Sequence, residues 1–264
     1  LRKLINYHDK PISTISLFLQ SLIYREMKND NIKISINGNG ADELFAGYYH
    51  HYNLFYNTLE KNTEKNNFLK EWQKHIRPIL RNNEYKLLSK KNIRSFFTLL
   101  DEKILNLKKI KPLNEKFFTK NLLRNKMLNE LLYQTVPLAL IDDDLNAMYY
   151  SIENRSPFLN KELVNISFQM PTKLFMKNAF NKYLLRISSD KIIHNKVRLN
   201  REKKGFNASF SSVLSFQNKI FKQWFFDSNS KSQIYNYIHK DFFLKNYKNN
   251  FKSDFADMST QSLF

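Results

Sequence analysis

Only four glycines occur in 264 residues, and three of them, Gly38, Gly40 and Gly47, fall within ten positions of the stretch "INGNGADELFAGYYHHY", Ile36 to Tyr52. Ahead of them, "NIKISIN" alternates Ile32, Ile34 and Ile36 with the period of a strand. Behind them, Leu44, Phe45, Tyr48, Tyr52 and Phe55 recur at helical spacing. Asn-Gly is a common hairpin signal, but here a helix follows instead of a returning strand. Strand, glycine turn and helix make half of an α/β unit. The strand is therefore expected to end near Asn37, with Gly40 at or just before a helix N-terminus.

Such a turn presents backbone N–H groups at the positive end of a helix, and glycine lets a phosphate come close. Asp42 and Glu43 then occupy the first helical turn. They either complement the dipole or, beside bound phosphate, require a cation. Mg²⁺, held by one or two carboxylates and the phosphate oxygens, is the usual solution. A plain turn explains the residues equally well, because short glycine patterns recur by chance.

Ile12 to Asn29, after Pro11, reads as a helix with Ile15, Phe18, Leu19, Leu22 and Ile23 on one face. Lys61 to Lys116 is rich in Lys and Asn, with helical patches around Trp72 and Phe96. Helical spacing resumes from Phe117 to Ile141, ending near Pro137, and then continues to breaks at Pro157 and Pro171. "FNKYLLRISS" is a further helix, "VRLNREKKGFN" a loop, and Phe210 to Phe264 aromatic-rich helix and loop. One strand among so many helices makes a poor sheet, which points to strands contributed from upstream.

A hydrophobic content of 42% provides for a sizeable core, and no apolar run reaches the roughly 18 residues of a membrane helix. There is no cysteine and hence no disulfide framework, so a cytoplasmic protein is expected. The net charge of +19 comes from scattered lysines such as Lys61, Lys65, Lys70 and Lys74, as in a protein encoded by an AT-rich genome. With no arginine-rich stripe or stacking motif, nucleic acid is not the expected partner. A positive field still draws an anionic ligand such as ATP.

Four motifs in order carry a resemblance. "NGNGADELFAGY" resembles "SGEGADELFGGY" of the synthetase domain of the asparagine synthetase family, and "SIENRSPFLN" resembles its "EVRVPFLD" segment. "KYLLR" is similar to its Lys-x-x-Leu-Arg helix and "RLNREKKGFN" to its Arg-x-Lys-x-Gly-Phe loop. The resemblance spans essentially the whole chain. It implies an α/β fold with a partial adenine-nucleotide-binding, PP-loop ATPase-like parallel sheet and a largely helical C-terminal half. It also implies ATP-dependent amide formation with Mg²⁺: a carboxylate attacks the α-phosphate, giving an acyl-adenylate and pyrophosphate, and ammonia displaces AMP.

Residue by residue, the resemblance assigns Asn37, Gly38, Asn39 and Gly40 to the loop touching nucleotide and pyrophosphate. Asp42 becomes the Mg²⁺–pyrophosphate ligand, and Lys182 the cation that stabilises charge as the adenylate forms; by itself, Lys182 reads as a surface helix lysine. Arg201, Lys203 and Gly205 form a loop that closes over phosphate, or an exposed basic turn. Glu153 and Arg155 lie near the substrate pocket, or form a structural ion pair. Asp142, Asp143 and Asp144 make a metal cluster or cap a helix start. His50 and His51, adjacent on a helix, are expected not to face one ligand together and to serve surface or packing roles.

Two departures matter. Asn39 stands where the family usually carries a Glu regarded as catalytic, which argues against a housekeeping asparagine synthetase. The family's Ser-Gly-Gly-x-Asp-Ser loop and its N-terminal glutaminase are absent from the sequence. Residues 1–264 are thus expected to be a partial synthetase domain, inactive alone, with ammonia coming from a glutaminase domain outside this chain. The acceptor is aspartate or, in an amidotransferase of surface polysaccharides, a sugar carboxylate. The reading from another class is a non-catalytic remnant or a partner-binding helical domain.

Overall fold

The computed structural model describes residues 1–10, 14–80, 83–86, 88, 115–205, 219–220, 223 and 233–241. The expected helical patch at Phe96 and most of the tail from Phe210 lie outside these residues. Within them the fold is mixed α/β, mostly helical, with one small parallel sheet. Helices α1 (Arg2–His8) and α2 (Ser16–Asn29) lead into strand β1 (Ile34–Ile36). The chain then forms α3 (Ala41–Leu44), α4 (Tyr49–Thr58), α5 (Asn62–His75), α6 (Leu122–Leu132) and α7 (Thr135–Met148) before strand β2 (Glu153–Arg155). Helices α8 (Lys161–Gln169), α9 (Tyr183–Ser188) and α10 (Asn195–Arg198) follow.

The two strands run parallel, with Ile34 opposite Glu153 and Ile36 opposite Arg155. The Asn37 N–H donates to the Arg155 carbonyl (2.9 Å), carrying the ladder one step into the glycine turn. The strand thus ends where the alternation predicts, and Gly40 is the N-cap of α3. The core gathers Tyr52 and Leu54 of α4, Trp72 of α5, Leu123 and Met127 of α6, and Phe175. Asn121 caps α6 and Asn160 caps α8 by accepting first-turn N–H groups.

Several expectations are corrected. The helix after the glycines is broken: α3 is a single turn, and Ala46, in the left-handed region at φ 54°, separates it from α4. Pro137 does not end a helix but sits in the first turn of α7, where no ladder bond is lost. Glu153 to Arg155, expected at a helix end, is the second strand. The buried side of α2 is Leu17, Ser21 and Tyr24, whereas Ile23 is exposed. The reason is polar: α2 packs on α7 through Tyr24 and the Leu17 carbonyl, which meet Asp143 and Asn146. The alternating Ile32, Ile34 and Ile36 are likewise exposed, Ile36 by 73%. The strand pattern is real, but the face it marks is uncovered.

Candidate active site

Asp42 is the second residue of α3, and its carboxylate lies between two ammonium groups from distant parts of the chain. Lys182 Nζ is 2.6 Å from Oδ1 and Lys203 Nζ is 3.0 Å from Oδ2. Side-chain exposures of 22% for Asp42 and 29% for each lysine leave the cluster open to solvent on one side. Burial works against ionisation of Asp42, but the Lys203 and Lys182 charges more than offset it and hold its carboxyl below the ordinary range. Burial pushes Lys203 down, against the pull of Asp42.

The backbone places each of the three. Lys182 is the left-handed N-cap of α9, at φ 50°, and gives its N–H to the Phe45 carbonyl (3.1 Å). Asn178 and Ala179 just before it are left-handed as well, strain of the kind that persists where surroundings over-determine a site. Lys203 gives its N–H to Tyr49 Oη (3.0 Å) and lays its ammonium 3.7 Å over the Tyr48 ring. Arg201 stacks 3.8 Å from the Phe180 ring and donates to the Asn178 carbonyl, and Gly205 is exposed at the end of the loop.

Gly47 makes the cluster possible. A Cβ there would lie 1.8 Å from Asp42 Oδ1 and 2.3 Å from Lys182 Cε. The sequence reading gives Gly47 no place in the site; its membership of the glycine cluster is the available signal. Gly40, at φ 88°, would press a Cβ to 2.3 Å from Leu159 of the "SPFL" segment, so its glycine serves the fold. Around Gly38 a Cβ would meet nothing within 4 Å. With α3 only four residues long, the helix dipole contributes little, and the charge for an anion comes from the lysines.

Beneath the turn lies a second carboxylate. Asp143 accepts from Tyr24 Oη (2.6 Å), Asn37 Nδ2 (2.6 Å) and Asn39 Nδ2 (3.0 Å), and also from Gln20 and Asn154. Asn37 Oδ1 accepts in turn from the Asn39 N–H (3.0 Å) and Ser156 Oγ (2.8 Å). Asp142 pairs with Lys10 and Asp144 is exposed, so the three aspartates neither cap a helix start nor converge on a metal; they lie in the second half of α7. Glu153 and Arg155 bond each other (2.8 Å) and share the open sheet face with Ile34 and Ile36, while Asn154 between them turns to Asp143.

The adjacent histidines depart from expectation: both meet Glu130, His50 Nε2 at 2.6 Å and His51 Nε2 at 2.8 Å. They can do so because they sit in the first turn of α4, facing α6. The three ligand atoms lie within 4.8 Å of one another. However, His51 Nδ1 accepts the Tyr48 N–H (3.4 Å), which puts the ring proton on Nε2 and directs it to Glu130, the wrong tautomer for a metal at Nε2. The trio is a hydrogen-bonded clamp between α4 and α6.

The model of the family described as asparagine synthase matches residues 1–262. The chain belongs to the asparagine synthase family. It is 26% identical over 274 residues to "Asparagine synthetase [glutamine-hydrolyzing] 1" of Bacillus subtilis (strain 168), a match covering 93% of this chain and 41% of that protein. The chain therefore spans well under half the length of this curated relative. No solved structure matches it. Among the described residues, no helix is long and apolar enough to cross a membrane.

The motifs of this family member thus fall into two groups in space. The glycine turn, "KYLLR" and "REKKG" meet at Asp42. "SIENRSPFLN" touches the same turn from the other side, through Ser156, Asn154 and Leu159. A cation such as Mg²⁺ fits the first group: Asp42 Oδ1 is buried without a well-formed hydrogen bond and faces the Lys182 ammonium, whose place a metal ion would take. One carboxylate completed by phosphate oxygens suffices for that ion.

Proposed function

We propose that residues 1–264 are part of a synthetase that joins a small carboxylate to ammonia, using ATP, through an acyl-adenylate. The observation carrying this reading is the meeting of Asp42, Lys182 and Lys203 beside the glycine turn. Mg²⁺ on Asp42 would screen the polyphosphate charge. Lys182 stands fixed where negative charge develops on the nucleotide, and preorganised charge of this kind is often the largest catalytic contribution. Asn37, Asn39 and Gly40 form the floor of the nucleotide site, with open space at Gly38. Arg201, Lys203 and Gly205 supply the loop over the phosphates, and Glu153 and Arg155 the substrate side of β2.

The sheet of this reading is of PP-loop ATPase type, and the uncovered Ile34 and Ile36 are where further strands and helices would pack. The name of the Bacillus relative supports glutamine as the ammonia source and aspartate as the acceptor. One observation favours a sugar acid instead: Asn39 puts a neutral amide, bonded to Asp143, where the family usually carries a Glu regarded as catalytic. The test is calorimetric titration of residues 1–264 with pyrophosphate in Mg²⁺. Binding that disappears in Asp42→Asn and Lys182→Met is expected; binding unchanged in both refutes the assignment.

A further inference from the structure

Two ammonium groups on one carboxylate is one more than charge balance requires. Asp42 carries a single negative charge, so the three groups in direct contact are net positive; Glu43, whose carboxyl burial pushes up, acts on Lys203 only from beyond ion-pair distance. Among the described residues neither lysine pairs with another carboxylate. The neighbouring Glu43 is buried and accepts from Tyr48 Oη (2.5 Å). Lys203 is held in place, its ammonium over the Tyr48 ring and its N–H on Tyr49 Oη. The notch at Gly47 is filled by Asp42 Oδ1 and Lys182 Cε. A cation approaching Asp42 alone must enter an occupied space of its own sign.

On the nucleotide reading above, we infer that Lys182 and Lys203 guard Asp42: they exclude a free divalent cation and yield the carboxylate only to one that arrives with polyphosphate. A free dication would raise the local charge by two within a few ångströms of two ammonium groups. At the dielectric of a protein surface, each such neighbour costs at least about tenfold in affinity. Polyphosphate reverses the sign, because its oxygens accept the displaced ammonium groups as the metal takes Asp42. The loop need not open for this exchange. The backbone of Lys203 stays on Tyr49 while its side chain, 29% exposed, swings from Asp42 to phosphate. Metal and polyphosphate therefore bind with positive coupling, and the lysines set its size.

The experiment uses Mn²⁺ as the probe ion on residues 1–264, followed by electron paramagnetic resonance, with and without pyrophosphate. The wild-type chain is expected to take up Mn²⁺ alone weakly. Lys203→Met, whose neutral side chain still covers Tyr48, should bind Mn²⁺ alone at least about tenfold more tightly, and Lys182→Met should shift in the same direction. The gain must vanish when Asp42→Asn is added. With pyrophosphate present the order reverses, and Lys203→Met binds more weakly than wild type. A merely structural role for Lys203 would weaken both. A folded Lys203→Met that gains no Mn²⁺ site, or a gain that survives Asp42→Asn, overturns the inference. If neither protein binds pyrophosphate with Mn²⁺, the nucleotide reading fails, while an Asp42-dependent gain still supports the guard.

Discussion

Replacing the clustered glycines one at a time by alanine separates three different reasons for having glycine. At Gly38 the added carbon meets nothing, so stability should stay within about 0.5 kcal/mol of wild type. At Gly40 the residue must hold φ 88°, which costs a side chain about 1–2 kcal/mol, and the new Cβ also displaces Leu159 from 2.3 Å. With overpacking of about 1–3 kcal/mol, Gly40→Ala should lose about 2–5 kcal/mol. At Gly47 the backbone is not left-handed, and the atoms struck are Asp42 Oδ1 at 1.8 Å and Lys182 Cε at 2.3 Å, both on side chains that can move. The stability loss should therefore sit at the low end, about 1–2 kcal/mol including a partly exposed ion pair. Binding should suffer far more. Reaching ordinary contact distance moves the carboxylate by more than about 1 Å, enough to break its present contact with Lys182, and should cost at least about tenfold in affinity. Urea unfolding and titration with pyrophosphate in Mg²⁺ read the two quantities. Gly47→Ala that binds like wild type, or Gly40→Ala that loses binding without losing stability, would refute the reasoning.

Within the run of three aspartates, Asp143→Ala should lose about 3 kcal/mol or more in urea unfolding, because it strands five donors, while exposed Asp144→Ala stays within about 0.5 kcal/mol. Burial alone would raise Glu130, but His51 and His50 outweigh it and hold its carboxyl far below the usual range; burial in turn lowers His50 despite Glu130. Both folded values lie below their unfolded ones, so both contributions are present at neutral pH and are lost on acidification, from about pH 6.5 for His50 and about pH 4.3 for Glu130. Because Glu130 also raises His50, Glu130→Gln should leave the loss between about pH 6.5 and pH 4.3 at least as steep as in wild type but remove the further loss below about pH 4.3; a loss below pH 4.3 that is unchanged in Glu130→Gln would sink the clamp. Supplied with ammonia, Mg²⁺, ATP and aspartate, residues 1–264 alone should release no pyrophosphate above a Lys182→Ala control; clear release would overturn the partial-domain reading.

Much of the turn is legible in the sequence because its signals are local. The change of period across Asn37 to Gly40 places the strand end and the N-cap. The meeting of Asp42 with Lys182 is legible only through the order of four motifs, since nothing local in "KYLLR" distinguishes Lys182 from a surface lysine. Strand β2 is hidden: three polar residues have no strand signature, and among the described residues their partner lies across five α-helices. The break before Gly47 is hidden for another reason. Phe45 and Tyr48 remain in helical phase across it, so periodicity runs through a point where the backbone does not. Asp143 had a usable signal. It falls seven residues after Val136 and four before Ala147, both buried on α7, so helical phase alone points it inward and Asp144 outward.

That inward carboxylate bears on the departure at position 39. Taken singly, Asn39 removes a charge that the family usually carries. In the fold, Asn39 Nδ2 donates to Asp143 Oδ2 at 3.0 Å, and Asn37 and Asn154 donate to the same oxygen. A carboxylate at position 39 in this geometry would face Asp143 with no proton between them, and two like charges at such a distance do not both ionise without a cation or a donor to bridge them. The turn therefore places one carboxylate beneath it, enclosed by amide and hydroxyl donors, while Asp42 pairs with Lys182 and Lys203. Asn39 is one of the donors that satisfy the Asp143 carboxylate, so the amide at this position and the buried aspartate form a matched pair.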